Sequence, residues 1–222
     1  MKSARSGASD DAKPASRLER RKAQTRQKLI DAARAMLADD TARHASIQSI
    51  TEAADVGFGS FYNHFSSKDE LFEAAVDDVL EETGALFDQL STDVDDPAAA
   101  FAQSVRLALR VNRSHPDMAK VLVRHGLSYI DSDHGLAPRA LRDIRDGVAA
   151  GRFQVENTRL ALATVAGSLL ATLHLSLSDP ELVDDRACDQ VAEQLLRMLG
   201  LPADEARQLA TTPLPDPDAS RP

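Results

Sequence analysis

Ile50-Thr51-Glu52-Ala53-Ala54-Asp55-Val56-Gly57-Phe58-Gly59-Ser60-Phe61-Tyr62-Asn63-His64-Phe65 is the stretch on which the reading of this chain turns. Ser46 can cap a short helix whose inner face is Ile47, Ile50 and Ala54, because its hydroxyl accepts from a free backbone N–H. Asp55-Val56-Gly57 breaks the pattern, and a second short helix is expected over Phe58–His64. Two short helices joined by a turn of three or four residues, braced by a helix before them, outline a helix-turn-helix. Small Ala53 and Ala54 would let the two helices cross closely, and Asp55 or Gly57 can supply a positive φ in the turn. Val56 and Phe61 then act as wedges between the helices, with Phe65 plugging the end. What remains outward is Gly59, Ser60, Tyr62, Asn63 and His64, a polar face suited to phosphates and base edges.

Working outward, a helix is expected from about Leu18 to Leu37, with Leu29, Ile30, Ala33, Met36 and Leu37 on one face and bases upstream. Residues 1–34 hold ten Lys and Arg against four acids, whereas 69–96 are strongly acidic. The net charge of −9 alone argues against a nucleic-acid partner, but screening over about 8 Å makes local charge the deciding quantity. On the other side, Ser67-Lys68-Asp69-Glu70 reads as a capping box, with Ser67 as cap and Glu70 reaching back. A long helix follows over Lys68–Leu90.

The rest of the 222 residues is rich in Ala and Leu with 4% aromatics, which favours helix throughout; the fold class is all-α. Helical patterns occupy about Ala98–Asn112, Pro116–His125, a short piece near Tyr129, Ala137–Ala150, Glu156–Leu177 and Leu182–Leu199, with Gly151 and Gly200 as stops. The expected organisation is a disordered tail over 1–16, a three-helix DNA-binding domain over 17–66, a helical ligand-sensing and dimerisation domain over 67–202, and a Pro-rich tail over 203–222, with the prolines from Pro213 onward. A single cysteine, Cys188, excludes an internal disulfide framework and any multi-Cys zinc site. No signal peptide or membrane span is read. The longest apolar passage, Leu160–Leu177, is broken by Thr164, Ser168, Thr172, His174 and Ser176 and reads as a buried helix of a cytoplasmic protein.

The central stretch resembles the DNA-binding segment of the TetR family of repressors, which runs roughly Ile-Ala-x-x-Ala-Gly-Val-Ser-x-Gly-Thr-x-Tyr-x-His-Phe, then x-Ser-Lys-x-x-Leu. Ile50, Ala54, Val56, Gly59, Tyr62, His64, Phe65, Ser67, Lys68 and Leu71 fall in register, and Thr51, Asp55 and Gly57 depart from it. Gly57 in place of the usual Ser removes a hydroxyl cap and a phosphate contact, which bears on half-site preference rather than on fold. The resemblance implies a ligand-responsive regulator, acting as a repressor, that binds double-stranded palindromic DNA as a homodimer. It also implies backbone contacts from Ser60, Tyr62, His64 and Lys68, with Gly59 and Asn63 nearest the bases. Ser46 and Gln48 are placed like backbone-contacting residues, and Arg26 with the arginines before it adds phosphate or minor-groove contacts. For Tyr62 the alternative is a core aromatic, and for His64 a buried histidine. A cation at a helix start, as at Lys68, is otherwise unfavourable and points to function.

By the same resemblance, residues 97–200 form a sensor whose last two helices pair with their copies in a second subunit. Ala161, Ala163, Ala166, Gly167, Ser168 and Ala171 allow close approach, and Val191, Leu195, Met198 and Leu199 give the final helix an apolar stripe. Candidates for an unidentified small-molecule ligand are Phe101, Val105, Met118, Leu122, His125, Tyr129, Leu170 and His174; ordinary core packing is the stronger reading of each, since apolar residues at helical spacing need no ligand to explain them. No cofactor or metal is expected, since His115, His125, His134 and His174 show no i,i+4 pair. An enzyme is not expected, for want of a nucleophile elbow, Walker loop or dinucleotide fingerprint. An activator, or an adaptor whose DNA face is idle, is left open by the residues.

Overall fold

The structure is a computed structural model that describes residues 16–90 and 94–214; among these are ten α-helices and two short 3-10 turns. The expectations for 1–15, for 91–93 and for the prolines beyond 214 lie outside the described residues. α1 (Arg17–Ala38) opens on a capping box in which Ser16 and Glu19 satisfy each other's backbone N–H. α2 (Ile47–Ala53), α3 (Phe58–Phe61) and α4 (Lys68–Leu90) follow, then α5 (Pro97–Ser114) and α6 (Pro116–His125). A 3-10 turn at Gly126–Tyr129 leads to α7 (Leu136–Ala149), α8 (Thr158–Ser178), α9 (Asp185–Met198) and α10 (Ala203–Ala210).

Two cores hold these helices. The first joins Leu29, Ile30, Ala33 and Leu37 of α1 to Ile50, Phe61 and Phe65, to Leu71, Ala75, Val76 and Val79 of α4, and to Met118, Val121 and Leu122 of α6. It therefore extends well past residue 66: the N-terminal helices are built onto α4 and α6 as one packed unit. Polar contacts reinforce the joint. Arg124 of α6 donates to the carbonyls of Leu37 and Ala38 at 2.7 Å each, closing the open end of α1. Arg34 of α1 pairs with Asp78 and Glu82 of α4 at 2.8 and 2.7 Å. The second core packs α5, α7, α8, α9 and α10 around Phe101, Ile144, Leu162, Val165, Leu195 and Leu196.

Three details correct the sequence reading. Residues 203–210, assigned to the tail, form α10, which buries Ala206 and Ala210; Arg152 ties it to the start of α5 by pairing with both Glu205 and Asp96. The second short helix ends at Phe61 rather than His64, with a turn through Tyr62–His64. Ala53 faces solvent, so the close approach of α2 falls to Ala54 alone.

Asp55, not Gly57, takes the left-handed conformation, at φ 50°, while Gly57 caps α3 in an extended conformation. An L residue at positive φ is strained, and the exposed Lys28–Asp55 ion pair at 3.5 Å returns little. Asp55→Gly is accordingly expected to stabilise the fold by a few tenths to about 1 kcal/mol. A rise in the urea midpoint at unchanged slope would show it; a fall would mean that the aspartate does more than fill the turn.

Candidate nucleic-acid interface and internal cavity

The helix-turn-helix is built from local hydrogen bonds. Ser46 Oγ accepts from Ser49 N at 3.1 Å and Ser49 Oγ accepts from Ser46 N at 3.0 Å, so α2 has a reciprocal cap. Thr51, the departure from Ala, is buried, and its hydroxyl is satisfied by the Gln48 carbonyl at 2.9 Å. Phe61, fully buried, and Phe65 anchor α3 and the turn after it to the core. Gly59, Tyr62 and Asn63 are exposed and Ser60 and His64 half-buried, so all five are accessible from outside. Tyr62 is 56% exposed and lies outside the core.

Several neighbours shape that face. The Arg26 guanidinium sits 5.1 Å over the Phe65 ring, which sets a cation beside the turn. Burial first, then the charges of Lys22 and Arg26, push the His64 imidazole below its ordinary value, favouring the neutral ring. Arg17, Arg20, Arg21, Lys22 and Arg26 are all exposed on the N-terminal half of α1, which projects beyond the core with Leu18 bare. Other predicted contacts have internal partners. Gln48 donates to Glu52 at 2.9 Å, and Lys68 Nζ donates to the Ala45 carbonyl at 3.3 Å, bridging the start of α4 to the loop before α2. Ser67 caps α4 as expected, but Glu70 reaches back to Ser66 N at 2.7 Å, one residue further than a standard capping box.

Behind this unit, α4, α5, α7, α8 and the 126–129 turn enclose a cavity of about 430 Å³. One side is apolar, with Phe101, Val105, Leu122, Val165 and Leu170; the other carries Asp88, Arg139, Arg142, Asp143 and Asp146. Arg139 lies across Gly84 of α4, where an added Cβ would come within 2.7 Å of its guanidinium and would push the arginine aside. There Arg139 donates to Asp88 and Glu81 at 2.9 Å each and to the Gly135 carbonyl at 2.7 Å. Arg142 binds Asp88 at 3.1 Å and Asp143 at 2.9 Å. Burial pushes the Asp88 carboxyl up, but the two arginines more than offset it and hold it below its usual range. For Asp143 burial prevails over Arg142, and its carboxyl is raised.

Residues 29–75 match the family model "Bacterial regulatory proteins, tetR family", and residues 96–212 match "Tetracyclin repressor-like, C-terminal domain". The chain belongs to the TetR family of transcriptional regulators. Its helix-turn-helix is the DNA-binding domain of that family. No curated protein matches. Among solved structures, RolR in complex with resorcinol is 35% identical over 89% of this chain and 98% of that one, with a TM-score of 0.63. RolR without ligand is 34% identical over 86% and 98%, at 0.64. A protein of Shewanella sp. PV-4, described as a tetR family transcription regulator, shares the fold at TM-score 0.71 and 19% identity, over 80% of this chain and 99% of that one.

Within this TetR-family frame the ligand candidates divide. Phe101, Val105, Leu122, Tyr129 and Leu170 line the cavity. Met118 is buried in the first core, His125 is half-buried outside the lining, and His174 faces solvent on α8, so these three do not line the cavity. Sequence reasoning missed Arg139, Arg142, Asp143 and Asp146. The signal was there in part: on α7 these charges recur at three- and four-residue steps beside Ala140 and Ile144, but a charged row on an amphipathic helix reads as its solvated face.

α8 also departs from expectation. Only 28% of its most apolar stretch is buried. Leu160, Ala163, Thr164, Ala171, His174 and Leu175 are exposed in a single stripe, with Gly167 half-buried in the same row. Ala161 is spent inward, Ala166 lines the cavity, and Leu195 of α9 and Leu199 just after it are buried in the monomer. By length and composition α8 could cross a membrane. Its inner face, however, packs against α5, α6 and α7.

Proposed function

We propose that this chain is a repressor that binds a palindromic operator as a homodimer and is released by a small, neutral, hydroxylated aromatic compound. The observation that carries it is the double duty of α4. Its residues Leu71 and Ala75 are sealed into the core beneath the helix-turn-helix, while Leu80, Thr83, Gly84 and Phe87 wall the cavity. A ligand that displaces the cavity end of this rod changes the angle at which the two recognition faces of a dimer meet DNA. The apolar stripe of α8, with Val191 and Met198 of α9, is the surface that pairs the two copies, because a helix apolar all round is stable only when covered.

The ligand class follows from the cavity and from likeness. Its volume is that of a small-molecule site. The two guanidiniums are committed to carboxylates, so an added aromatic acid would find its charge opposed, whereas a phenol can donate to Asp143. RolR, a third identical over most of its length, is the protein crystallised with resorcinol. The DNA contacts we assign are Ser60, Tyr62, His64 and Lys68 to phosphates, with Gly59 and Asn63 at the base edges. Ser46, Gln48 and Arg26 supply further backbone contacts. Lys68 keeps N–H donors beyond the one given to Ala45.

The test is fluorescence anisotropy on duplexes from around the gene itself, across a salt series, with and without resorcinol. Tight binding to one palindromic fragment, lost on Tyr62→Ala and weakened by the phenol, is the expected result. Lys22→Ala and Arg26→Ala are each expected to reduce the slope of log K against log salt by about 1. Weak binding equal on every fragment would instead support an adaptor, and binding indifferent to phenols would reject the ligand class.

A further inference from the structure

We propose that Phe58 reads a thymine methyl group in each operator half-site, an inference that rests on the DNA-binding reading above. Phe58 is the first residue of α3 and is 54% exposed, a large apolar ring on an otherwise polar face. It does not belong to either core. Its only ring partner among the described residues is Tyr62, edge-on at 6.1 Å, and Tyr62 is itself braced edge-on by buried Phe61 at 5.4 Å. The Phe58 ring is thus held from beneath, with its outer side open.

The adjoining glycine points to an external partner. Gly147 excludes a Cβ because Phe153 fills the space, Gly84 and Gly126 lie close against the Arg139 and Leu170 side chains, Gly57 caps α3, and Gly135, Gly151 and Gly200 have positive φ. Gly59 has none of these reasons: an added Cβ would meet nothing within 4 Å, and its φ is ordinary. The backbone at Gly59 is therefore open to close approach from outside the chain. Together Phe58 and Gly59 make an apolar strip on the surface that faces the major groove. The apolar group displayed there is the C5 methyl of thymine, absent from cytosine and from both purines.

The experiment strips methyl groups from the operator one at a time by replacing thymine with deoxyuridine, which leaves every hydrogen-bonding group in place. Binding of each duplex is measured for the wild-type chain, Phe58→Leu and Phe58→Asn. Burying one methyl corresponds to about fourfold in affinity, so wild type is expected to lose about fourfold per half-site and roughly 16-fold when both half-sites are stripped. This loss should occur at one thymine position, persist in part in Phe58→Leu, and vanish in Phe58→Asn, which binds both duplexes alike. Specific binding with no methyl-sensitive position, or equal sensitivity in Phe58→Asn, overturns the thymine assignment alone. Absence of specific binding to any unmodified duplex overturns the repressor reading and this assignment with it.

Discussion

Ala171→Arg is expected to leave the monomer folded, to abolish the dimer, and to weaken operator binding by roughly 100-fold or more. Ala171 is exposed in the single chain, midway along the bare stripe of α8, so the arginine has solvent to enter and no core to disturb. In a two-fold interface every substitution appears twice, and helices that meet over small residues leave no room for two guanidiniums. The charges must be desolvated without partners or the interface must open. A monomer then holds one half-site, and the gain from linking two binding events is lost. Sedimentation or light scattering would read the dimer, circular dichroism the fold, and anisotropy the operator. A variant that stays dimeric at full affinity would place the subunit interface elsewhere. Gly167 lies in the same stripe and, like Gly59, has neither a crowded Cβ position nor a positive φ. Gly57, which caps α3, is a third such glycine among the described residues; Gly59 and Gly167 each lie on a surface proposed to meet an external partner.

The features legible in the sequence are those set by short-range rules. Ser46, Ser67 and Gly151 mark helix ends because a cap needs only its own next few residues, and the 23-residue span of α4 follows from its apolar spacing. Asp55 could be narrowed to a pair with Gly57, since both tolerate positive φ. Errors arise where distant chain decides. Glu70 bonds Ser66, a choice between two adjacent N–H groups that spacing does not make. α10 forms although 203–210 carry little apolar signal of their own, because α9 and α5 offer Ala206 and Ala210 a place to be buried. The charged wall of the cavity is the largest omission. Arg139 is fixed by Glu81, Asp88 and the bare backbone of Gly84, more than fifty residues away in sequence, and no local pattern on α7 announces them.

That same wall supports the second large effect. Asp143→Leu is expected to weaken binding of a dihydric phenol by roughly 10- to 100-fold, the range for losing a hydrogen bond to a charged acceptor, and to leave operator affinity without ligand unchanged. Arg142, which loses one partner, keeps Asp88 at 3.1 Å, so the wall stands. The pH dependence gives a sharper signature. Burial raises the Asp143 carboxyl above its ordinary range, and the form that accepts a phenolic proton is the ionised one. As pH falls through that raised pKa, ligand affinity in the wild-type chain therefore drops, at a pH above that at which an unperturbed aspartate titrates, about 3.9. In Asp143→Asn, which keeps shape without charge, affinity is lower throughout and this fall is absent. Linkage extends the result to DNA: whatever factor the phenol takes from operator affinity, the operator must take from the phenol. Isothermal titration of wild type and both variants over a pH series running upward from the ordinary aspartate value, about 3.9, would decide it. Unchanged affinity and a common pH profile in all three would mean that the phenol is read from the apolar wall or from Tyr129 instead.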